Sequence, residues 1–180
     1  MLNKIKTRQA LIGIIGLGYV GLPLALEVVK AGFHVVGIDL DKSKIKALHS
    51  GNSYICDVDN NQLMSAINSG RIKFTFDYSA LTDVDIIDVA VPTPLSKSKT
   101  PDVSSIIKAI KGVKAHFKPQ KLVILESTTY PGTTRELVVN KLSSAGFKLD
   151  QDFYAVFSPE RVDPGNKIYG IKNTDRKSVV

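Results

Sequence analysis

The chain has 180 residues, of which 43% are hydrophobic and 23% charged, and a single cysteine, which excludes an internal disulfide and the paired thiolates of a zinc ribbon. This length provides one sizeable core and leaves no room for a large two-domain enzyme. The lone cysteine favours a reducing compartment, which we expect to be the cytoplasm. The formal net charge of +7 lies in residues 1–8, 97–121 and 161–180, without interleaved aromatic residues or a recognisable motif, so we expect no nucleic-acid partner.

The first apolar run of the chain, residues 10–29, imitates an export signal or membrane anchor because three basic side chains precede it. It contains four glycines, a proline and a glutamate, and no small-residue cleavage site follows it. A buried strand, a turn and a helix explain the run better, although hydropathy alone would accept a membrane span. We therefore expect no membrane partner, and we expect residues 1–8 to form a basic tail.

Short apolar runs then alternate with amphipathic stretches almost to the end of the chain. The apolar runs predict strands at residues 10–15, 34–39, 71–76, 85–91, 122–127 and 153–157. The amphipathic stretches predict helices at residues 20–31, 42–48, 61–69, 103–117 and 133–145. This alternation indicates an α/β domain over residues 9–160, a doubly wound and mostly parallel sheet of about six strands with helices on both faces. Residues 161–180 are expected to form a loop and a polar tail.

The segment Gly16-Leu17-Gly18-Tyr19-Val20-Gly21 directly follows the first strand and opens a helix. In dinucleotide-binding sites with this pattern, the first glycine permits a tight turn and the second lets the backbone approach a pyrophosphate. The third glycine allows the helix to pack close to the strand. The phosphates then meet free N–H groups at the positive end of the helix. The segment therefore predicts a dinucleotide site of the Rossmann type.

Asp39 ends the second predicted strand, 18 residues after Gly21. A carboxylate at this position accepts hydrogen bonds from ribose hydroxyls and repels a 2′-phosphate, which favours NAD over NADP. Asp39 could instead cap the next helix, but Asp41 can serve as that cap. A methyltransferase shares part of this pattern and remains an alternative.

Three polar loops follow later strands, at residues 91–94, 126–133 and 158–165. Ligands of open α/β sheets bind at the carboxyl ends of the strands, so these loops are candidate parts of a site. Each loop taken singly could simply build turns and helix caps. Three of them on one edge of a sheet favour a binding site.

Four motifs in this order resemble the nucleotide-sugar 6-dehydrogenases, the family that includes UDP-glucose and GDP-mannose dehydrogenases. They are GLGYVGLPLA (16–25), VPTP (91–94), ESTTYPGTT (126–134) and SPERVDPGN (158–166). The resemblance extends to about residue 174 and covers the family's N-terminal, NAD-binding domain. Such enzymes oxidise the C6 hydroxyl of a nucleotide sugar to a carboxylate in two steps, with two NAD⁺ and water.

The resemblance implies a role for particular residues. Thr93 and Thr128 would line the nicotinamide and the reacting carbon, and Glu160 would organise water for the hydrolytic step. We take Thr128 and Glu160 as the candidate catalytic residues, and we expect no metal. The residues expected to bind NAD are Gly16, Gly18, Tyr19, Val20, Gly21, Asp39, Thr93, Glu126 and Thr128.

The motif spellings are most similar to the branch that acts on UDP-N-acetylglucosamine, with UDP-N-acetylmannosamine as second choice. The UDP-glucose branch has a second glutamate where this chain has Pro164, and Asp163 lies one position short of it. Besides NAD, the partner expected for the full-length enzyme is a nucleotide sugar, and assembly with further copies of the chain is left open.

The family's nucleophilic cysteine lies in a Gly-Gly-His-Cys segment that this sequence does not contain. The central helix and the C-terminal domain that carries this cysteine are likewise expected to be absent. Cys56 lies in a polar loop beside Asp57, and we interpret it as structural. We therefore expect the chain to bind NAD without turning over a sugar. A non-catalytic nucleotide-binding or assembly module remains an alternative.

Overall fold

The computed structural model describes residues 1–96 and 99–160, and this part of the chain contains one parallel sheet of six strands in the order β3-β2-β1-β4-β5-β6. The strand order reverses between β1 and β4, and doubly wound folds bind ligands at this switch point. The strands are β1 (Leu11–Ile15), β2 (His34–Ile38), β3 (Ile72–Thr75), β4 (Ile86–Val89), β5 (Lys121–Leu125) and β6 (Phe153–Phe157).

Helices connect successive strands and cover both faces of the sheet. The connection between β5 and β6 begins with a π-helical segment, Thr134–Val139, and a 3-10 helix, Tyr78–Asp83, precedes β4. The α-helices are α1 (Leu2–Lys6), α2 (Gly21–Lys30), α3 (Lys42–His49), α4 (Asn60–Asn68), α5 (Ser104–Ala115) and α6 (Asn140–Ser143).

The sheet separates two clusters of buried apolar side chains. Because successive side chains of a strand point to opposite faces, Ile14 packs in the cluster beneath α2, α3 and α4, and Ile15 packs in the cluster beneath α5 and α6. The strands therefore have apolar residues on both faces, as β4 does, in which all four residues are buried. The predicted doubly wound α/β fold is confirmed, and the sheet is parallel throughout.

All six predicted strands and four of the five predicted helices are present, with ends that differ from the prediction by one or two residues in most cases. The predicted helix at 133–145 is instead a π-helical segment that continues into α6. Within residues 1–96 and 99–160, no helix is long and apolar enough to cross a membrane. The expected polar tail at 161–180 lies outside the described residues.

The basic N-terminal segment folds onto the domain, although the sequence predicts a tail. Residues Leu2–Lys6 form α1, from which the Lys4 ammonium reaches the Asp85 carboxylate at 2.6 Å. The Arg8 guanidinium lies over the Phe33 ring, 4.7 Å from its centroid. These contacts bridge positions far apart in the sequence, so local composition did not reveal them.

The Asp85 carboxylate is expected to make stability depend on pH. Burial opposes its ionisation, but hydrogen bonds from the Lys4 ammonium and the Leu11 N–H outweigh burial and lower its pKa below the ordinary 3.8. A lowered pKa in the folded state stabilises the fold above the unfolded-state pKa, and this contribution is lost as the pH falls through the lower, folded-state value. We expect Asp85→Asn to cost about 1–2 kcal/mol at neutral pH, and its difference from wild type to shrink below pH about 4.

Urea unfolding at neutral and acidic pH measures this effect. Asp83→Asn is the matched control, because Asp83 pairs with Lys118 at 3.2 Å with both side chains largely exposed. Such a surface pair contributes little, and the control should stay within about 0.5 kcal/mol of wild type. An Asp85→Asn variant as stable as this control at neutral pH would contradict the assignment.

The register of the sheet brings the candidate site residues to one edge. The final residues of five strands lie side by side in one row: Ile15, Ile38, Val89, Leu125 and Phe157. Because the strands are parallel, the segments that follow this row all emerge at the same edge of the sheet, which we call the carboxyl edge. It carries the glycine motif, Asp39, the predicted loops at 91–94 and 126–133, and the described beginning, residues 158–160, of the third predicted loop.

Candidate functional site

The turn after β1 requires a glycine at its first position. Gly16 has φ +94°, in the left-handed region, and a Cβ atom there would lie 2.6 Å from the Ala90 carbonyl oxygen. The Gly16 N–H donates to the Ile38 carbonyl at 2.8 Å, which continues the ladder between β1 and β2. The chain therefore turns tightly between its two neighbouring strands.

The other two glycines of the motif have opposite surroundings. A Cβ atom on Gly21 would overlap the Gly16 carbonyl oxygen, since the first turn of α2 packs directly on the end of β1. A Cβ atom on Gly18 would have no protein atom within 4 Å. Packing in the protein alone thus explains Gly21, whereas no contact of the described residues requires Gly18 to lack a side chain, and the space beside it is open.

The N-terminus of α2 faces this space without a side-chain cap. Its N-cap residue, Val20, makes no side-chain hydrogen bond to the helix, and the neighbouring Tyr19 side chain is 57% exposed. By contrast, α3 and α4 are capped by the carboxylates of Asp41 and Asp59. An uncapped helix N-terminus carries partial positive charge and N–H donors, which suit a phosphate.

Asp39 lies at the carboxyl end of β2 and faces the glycine turn. Its Oδ2 accepts a hydrogen bond from the Leu17 N–H at 3.0 Å and its Oδ1 accepts one from the Asp41 N–H at 3.0 Å. The cap of α3 is Asp41, whose pKa is lowered by the hydroxyl and N–H of Ser43. The expected division of roles is confirmed as far as the cap is concerned, and Asp39 is placed beside the turn.

Two residues that the sequence analysis missed complete this cluster. The Lys44 ammonium lies 3.2 Å from Asp39 Oδ2 and 5.6 Å from the centroid of the Tyr54 ring. The Tyr54 hydroxyl donates to the Leu17 carbonyl at 2.6 Å. Burial, followed by the nearby charges of Asp39 and Asp41, raises the pKa of Tyr54, so that its hydroxyl keeps its proton.

The loops after β4 and β5 are joined to each other at the carboxyl edge. The Thr93 hydroxyl donates to the Thr128 carbonyl at 2.6 Å, across 35 residues of sequence. The Ser127 hydroxyl donates to the Val91 carbonyl at 2.7 Å. Glu126 is only 1% exposed, whereas the side chain of Thr128 is exposed. The candidate residues Thr93, Glu126 and Thr128 are thus brought together.

Some hydroxyl groups of these loops have structural partners. Thr133 is 1% exposed, and its hydroxyl donates to the Tyr130 carbonyl at 2.7 Å. The Thr129 and Thr133 hydroxyls lie 3.0 Å apart. For these residues the turn-building interpretation holds. Thr128 differs from them, because the residue is exposed.

The loop after β6 reaches the same edge. The Ser158 N–H donates to the Leu125 carbonyl at 3.0 Å, and the half-buried Glu160 follows two residues later. The rest of this motif, including Asp163 and Pro164, lies outside the described residues. Glu160 therefore stands at the carboxyl edge beside the loop after β5.

Cys56 does not behave as the structural residue that the sequence analysis expects. Its side chain is exposed, so it fills no position in either core cluster. Among residues 1–96 and 99–160, no three His, Cys, Asp or Glu side chains are grouped so that they could hold a metal ion.

The described residues also form clefts away from the glycine turn. A cleft of about 580 Å³ lies between α2 and α4 and is lined by polar groups such as Gln62, Ser65 and Arg71. A second cleft, of about 440 Å³, lies beside the loop after β5 and is lined by Tyr130, Arg135 and Phe157. Neither cleft includes a residue of the glycine turn.

A tight glycine turn, an uncapped helix N-terminus and an acidic residue on the neighbouring strand define a dinucleotide-binding domain of the Rossmann class. Residues 10–179 match the model of the UDP-glucose/GDP-mannose dehydrogenase family, NAD binding domain. The chain belongs to this family, and NAD is the cofactor of the domain that it matches.

Named relatives share this part of the sequence. A UDP-N-acetyl-D-glucosamine 6-dehydrogenase from Pseudomonas aeruginosa is 37% identical over 163 residues, which are 90% of this chain and 38% of the relative. The solved structure of a UDP-N-acetylmannosamine dehydrogenase from Pyrococcus horikoshii superposes with a TM-score of 0.81 at 35% identity, over 86% of this chain and 37% of that one. The chain thus spans little more than a third of the length of these relatives.

A GDP-mannose dehydrogenase from Pseudomonas aeruginosa, solved as a ternary complex, superposes with a TM-score of 0.80 at 28% identity, over 85% of this chain and 36% of that one. The family assignment favours a dehydrogenase domain over the methyltransferase that the glycine pattern alone left open.

Proposed function

We propose that this chain forms the NAD-binding part of an enzyme that oxidises the C6 hydroxyl of a UDP-N-acetylhexosamine to a carboxylate. The observation that carries this proposal is the space over Gly18 at the N-terminus of α2, beside the Asp39 carboxylate. Two NAD⁺ would be consumed for each sugar, one as hydride acceptor in each of the two oxidation steps, and water would supply the second oxygen of the carboxylate.

The glycine turn and α2 would hold the pyrophosphate. The open side of Gly18 lets the backbone approach it, and the free N–H groups at the start of α2, next to Tyr19 and Val20, donate to its oxygens. Asp39 would accept a hydrogen bond from the adenosine ribose at Oδ1, because Oδ2 already accepts from the Leu17 N–H and the Lys44 ammonium, while Oδ1 accepts only from the Asp41 N–H among the bonds described.

The loops after β4, β5 and β6 would face the nicotinamide and the sugar. The bond between the Thr93 hydroxyl and the Thr128 carbonyl holds two of these loops together, and Thr128 presents its own hydroxyl at the edge. Glu126, buried behind them, would fix the loop at the cofactor. Glu160 would accept the proton of the water that attacks in the hydrolytic step, as a carboxylate can at neutral pH.

The substrate class rests on similarity. The relative from Pseudomonas aeruginosa is named for UDP-N-acetylglucosamine and that from Pyrococcus horikoshii for UDP-N-acetylmannosamine, at nearly equal identity. We therefore propose a UDP-N-acetylhexosamine, with UDP-N-acetylglucosamine as first choice. The uronic acid formed would serve polysaccharide biosynthesis, and the exposed Cys56 thiol suits the cytoplasm.

Replacing Asp39 by asparagine tests the cofactor side of the proposal. We expect Asp39→Asn to weaken NAD⁺ binding about tenfold, because a charged acceptor of the ribose hydroxyls is lost. We also expect the preference for NAD⁺ over NADP⁺ to fall at least about tenfold, since the repulsion of the 2′-phosphate disappears. Isothermal titration calorimetry with each dinucleotide measures both effects.

Asp41→Asn is the matched control, because it removes the same charge two residues away and asparagine still caps a helix. Its NAD⁺ affinity should stay within about twofold of wild type, a difference of less than about 0.5 kcal/mol. If wild-type protein fails to bind NAD⁺ in millimolar solution, the proposed function is wrong. If both variants weaken NAD⁺ binding equally, the effect is due to net charge, and Asp39 has no special role.

A further inference from the structure

Leu17 lies inside the glycine turn, and both of its backbone polar groups are held by hydrogen bonds. Its N–H donates to Asp39 Oδ2 at 3.0 Å, and its carbonyl accepts the Tyr54 hydroxyl at 2.6 Å. The Leu17 side chain is fully buried in the cluster beneath α2 and α3. The Asp39 carboxylate, the Tyr54 hydroxyl and the burial of its own side chain together fix Leu17, which immediately precedes Gly18.

The two side chains that hold Leu17, those of Asp39 and Tyr54, are also connected through Lys44. Lys44 pairs with Asp39 at 3.2 Å and lies over the Tyr54 ring at 5.6 Å. The residues on either side of Tyr54 are also held in place. The Ser53 N–H donates to the Asn60 side chain at 2.7 Å, and Ile55 is buried. Tyr54 therefore transmits the position of a fixed loop to the glycine turn.

We infer that Tyr54 is a positioning residue for the dinucleotide, which holds the glycine turn in the shape that receives the pyrophosphate. A trans peptide is planar, so its C=O and the next N–H point in opposite directions. When the Tyr54 hydroxyl fixes the Leu17 carbonyl, it also fixes the direction of the Gly18 N–H. The turn is then set before the ligand arrives, and binding needs less ordering of the backbone.

This inference rests on the proposed function, since it concerns how the same site binds NAD. It is distinct from the role of Asp39, because Asp39 binds the Leu17 N–H, whereas Tyr54 binds the Leu17 carbonyl, which belongs to the same peptide group as the Gly18 N–H. A positioning role of this kind predicts a selective effect on ligands that carry a pyrophosphate. Adenosine, which lacks phosphate but retains the ribose, provides the comparison.

Tyr54→Phe is the variant of choice, because phenylalanine keeps the ring, its packing and the contact with Lys44 and removes only the hydroxyl. We expect the affinities for NAD⁺ and ADP to fall about tenfold and the affinity for adenosine to stay within about twofold of wild type. Tyr78→Phe is the matched control, since Tyr78 is another half-buried tyrosine and packs on the cluster on the other side of the sheet. It should leave all three ligands unchanged.

Two further measurements separate positioning from a general loss of stability. Replacing Tyr54 by 4-aminophenylalanine retains a donor and should restore NAD⁺ affinity. Hydrogen exchange of the Leu17 amide should accelerate at least about tenfold in Tyr54→Phe, while that of Ile14 in β1 should not change, because local opening is confined to the turn.

The outcomes are distinguishable. If wild type does not bind NAD⁺, the proposed function fails. If wild type binds and Tyr54→Phe binds NAD⁺ equally well, or loses adenosine as strongly as ADP, the positioning role is overturned while NAD binding stands. Should Tyr54→Phe unfold, the 4-aminophenylalanine variant decides, since weak NAD⁺ binding by a folded protein with the donor retained would also overturn it.

Discussion

Replacing Gly18 by alanine is expected to abolish NAD⁺ binding and to leave the fold at least as stable as that of wild type. The new methyl group would meet no protein atom within 4 Å, and Gly18 does not adopt the left-handed backbone that strains other residues. Such a glycine-to-alanine change stabilises a protein by about 0.4–1 kcal/mol, because it restricts the unfolded chain. The methyl group would instead occupy the space through which the pyrophosphate approaches the backbone.

We expect NAD⁺ affinity to fall at least about 100-fold, which corresponds to about 2.7 kcal/mol of binding free energy. Calorimetry gives the affinity and thermal unfolding gives the stability, on the same preparation. An alanine variant that binds NAD⁺ like wild type would mean that the space over Gly18 is not where the cofactor lies. If the alanine variant also lost stability, the glycine turn would have no space for a methyl group at position 18.

The fold was predictable from local patterns because the apolar residues of each strand indicate that the strand is buried. Residues Ile86–Val89 are apolar apart from one aspartate and are buried on both faces, as a continuous β-branched run predicts. Segments that owe their structure to distant partners were not predictable. Helix α1 has no buried residue and is attached through Asp85, which lies in another part of the sequence.

The same distinction holds for the candidate site. The positions of Gly16, Gly18 and Gly21 follow from a short motif, and the cap at Asp41 follows from its place before a helix. Tyr54 reaches the glycine turn across 37 residues from a loop without a recognisable signal. Only the folded chain brings its hydroxyl to the Leu17 carbonyl, so the sequence analysis considered this loop for its cysteine alone.

The hydroxyl-rich loops show why composition alone left two interpretations open. Ser127 and Thr133 are buried and bind backbone carbonyls, as turn-building residues do. Thr128 belongs to the same run and is exposed at the carboxyl edge. Serine and threonine serve both purposes with the same hydroxyl group, and the direction of each side chain depends on the turn that carries it.

Replacing Gly21 by alanine, three residues beyond Gly18, is expected to have the opposite profile. Its Cβ atom would overlap the Gly16 carbonyl oxygen and would come within 3.4 Å of Ile14 Cγ2. The obstacle is backbone in a tight turn, which no change of side-chain rotamer relieves, so α2 must move away from the end of β1. We expect a loss of about 3 kcal/mol in the free energy of unfolding and a fall of about 6–12 °C in melting temperature.

NAD⁺ binding should weaken in this variant too, but as a consequence of the displaced helix N-terminus. The two alanine variants therefore separate the two reasons for a glycine in one motif: Gly18→Ala should lose the ligand and keep its stability, and Gly21→Ala should lose stability first. Thermal unfolding of both proteins without ligand decides the matter. Equal melting temperatures would contradict the close packing of α2 on β1 and, with it, the geometry that leaves the start of the helix free for a phosphate.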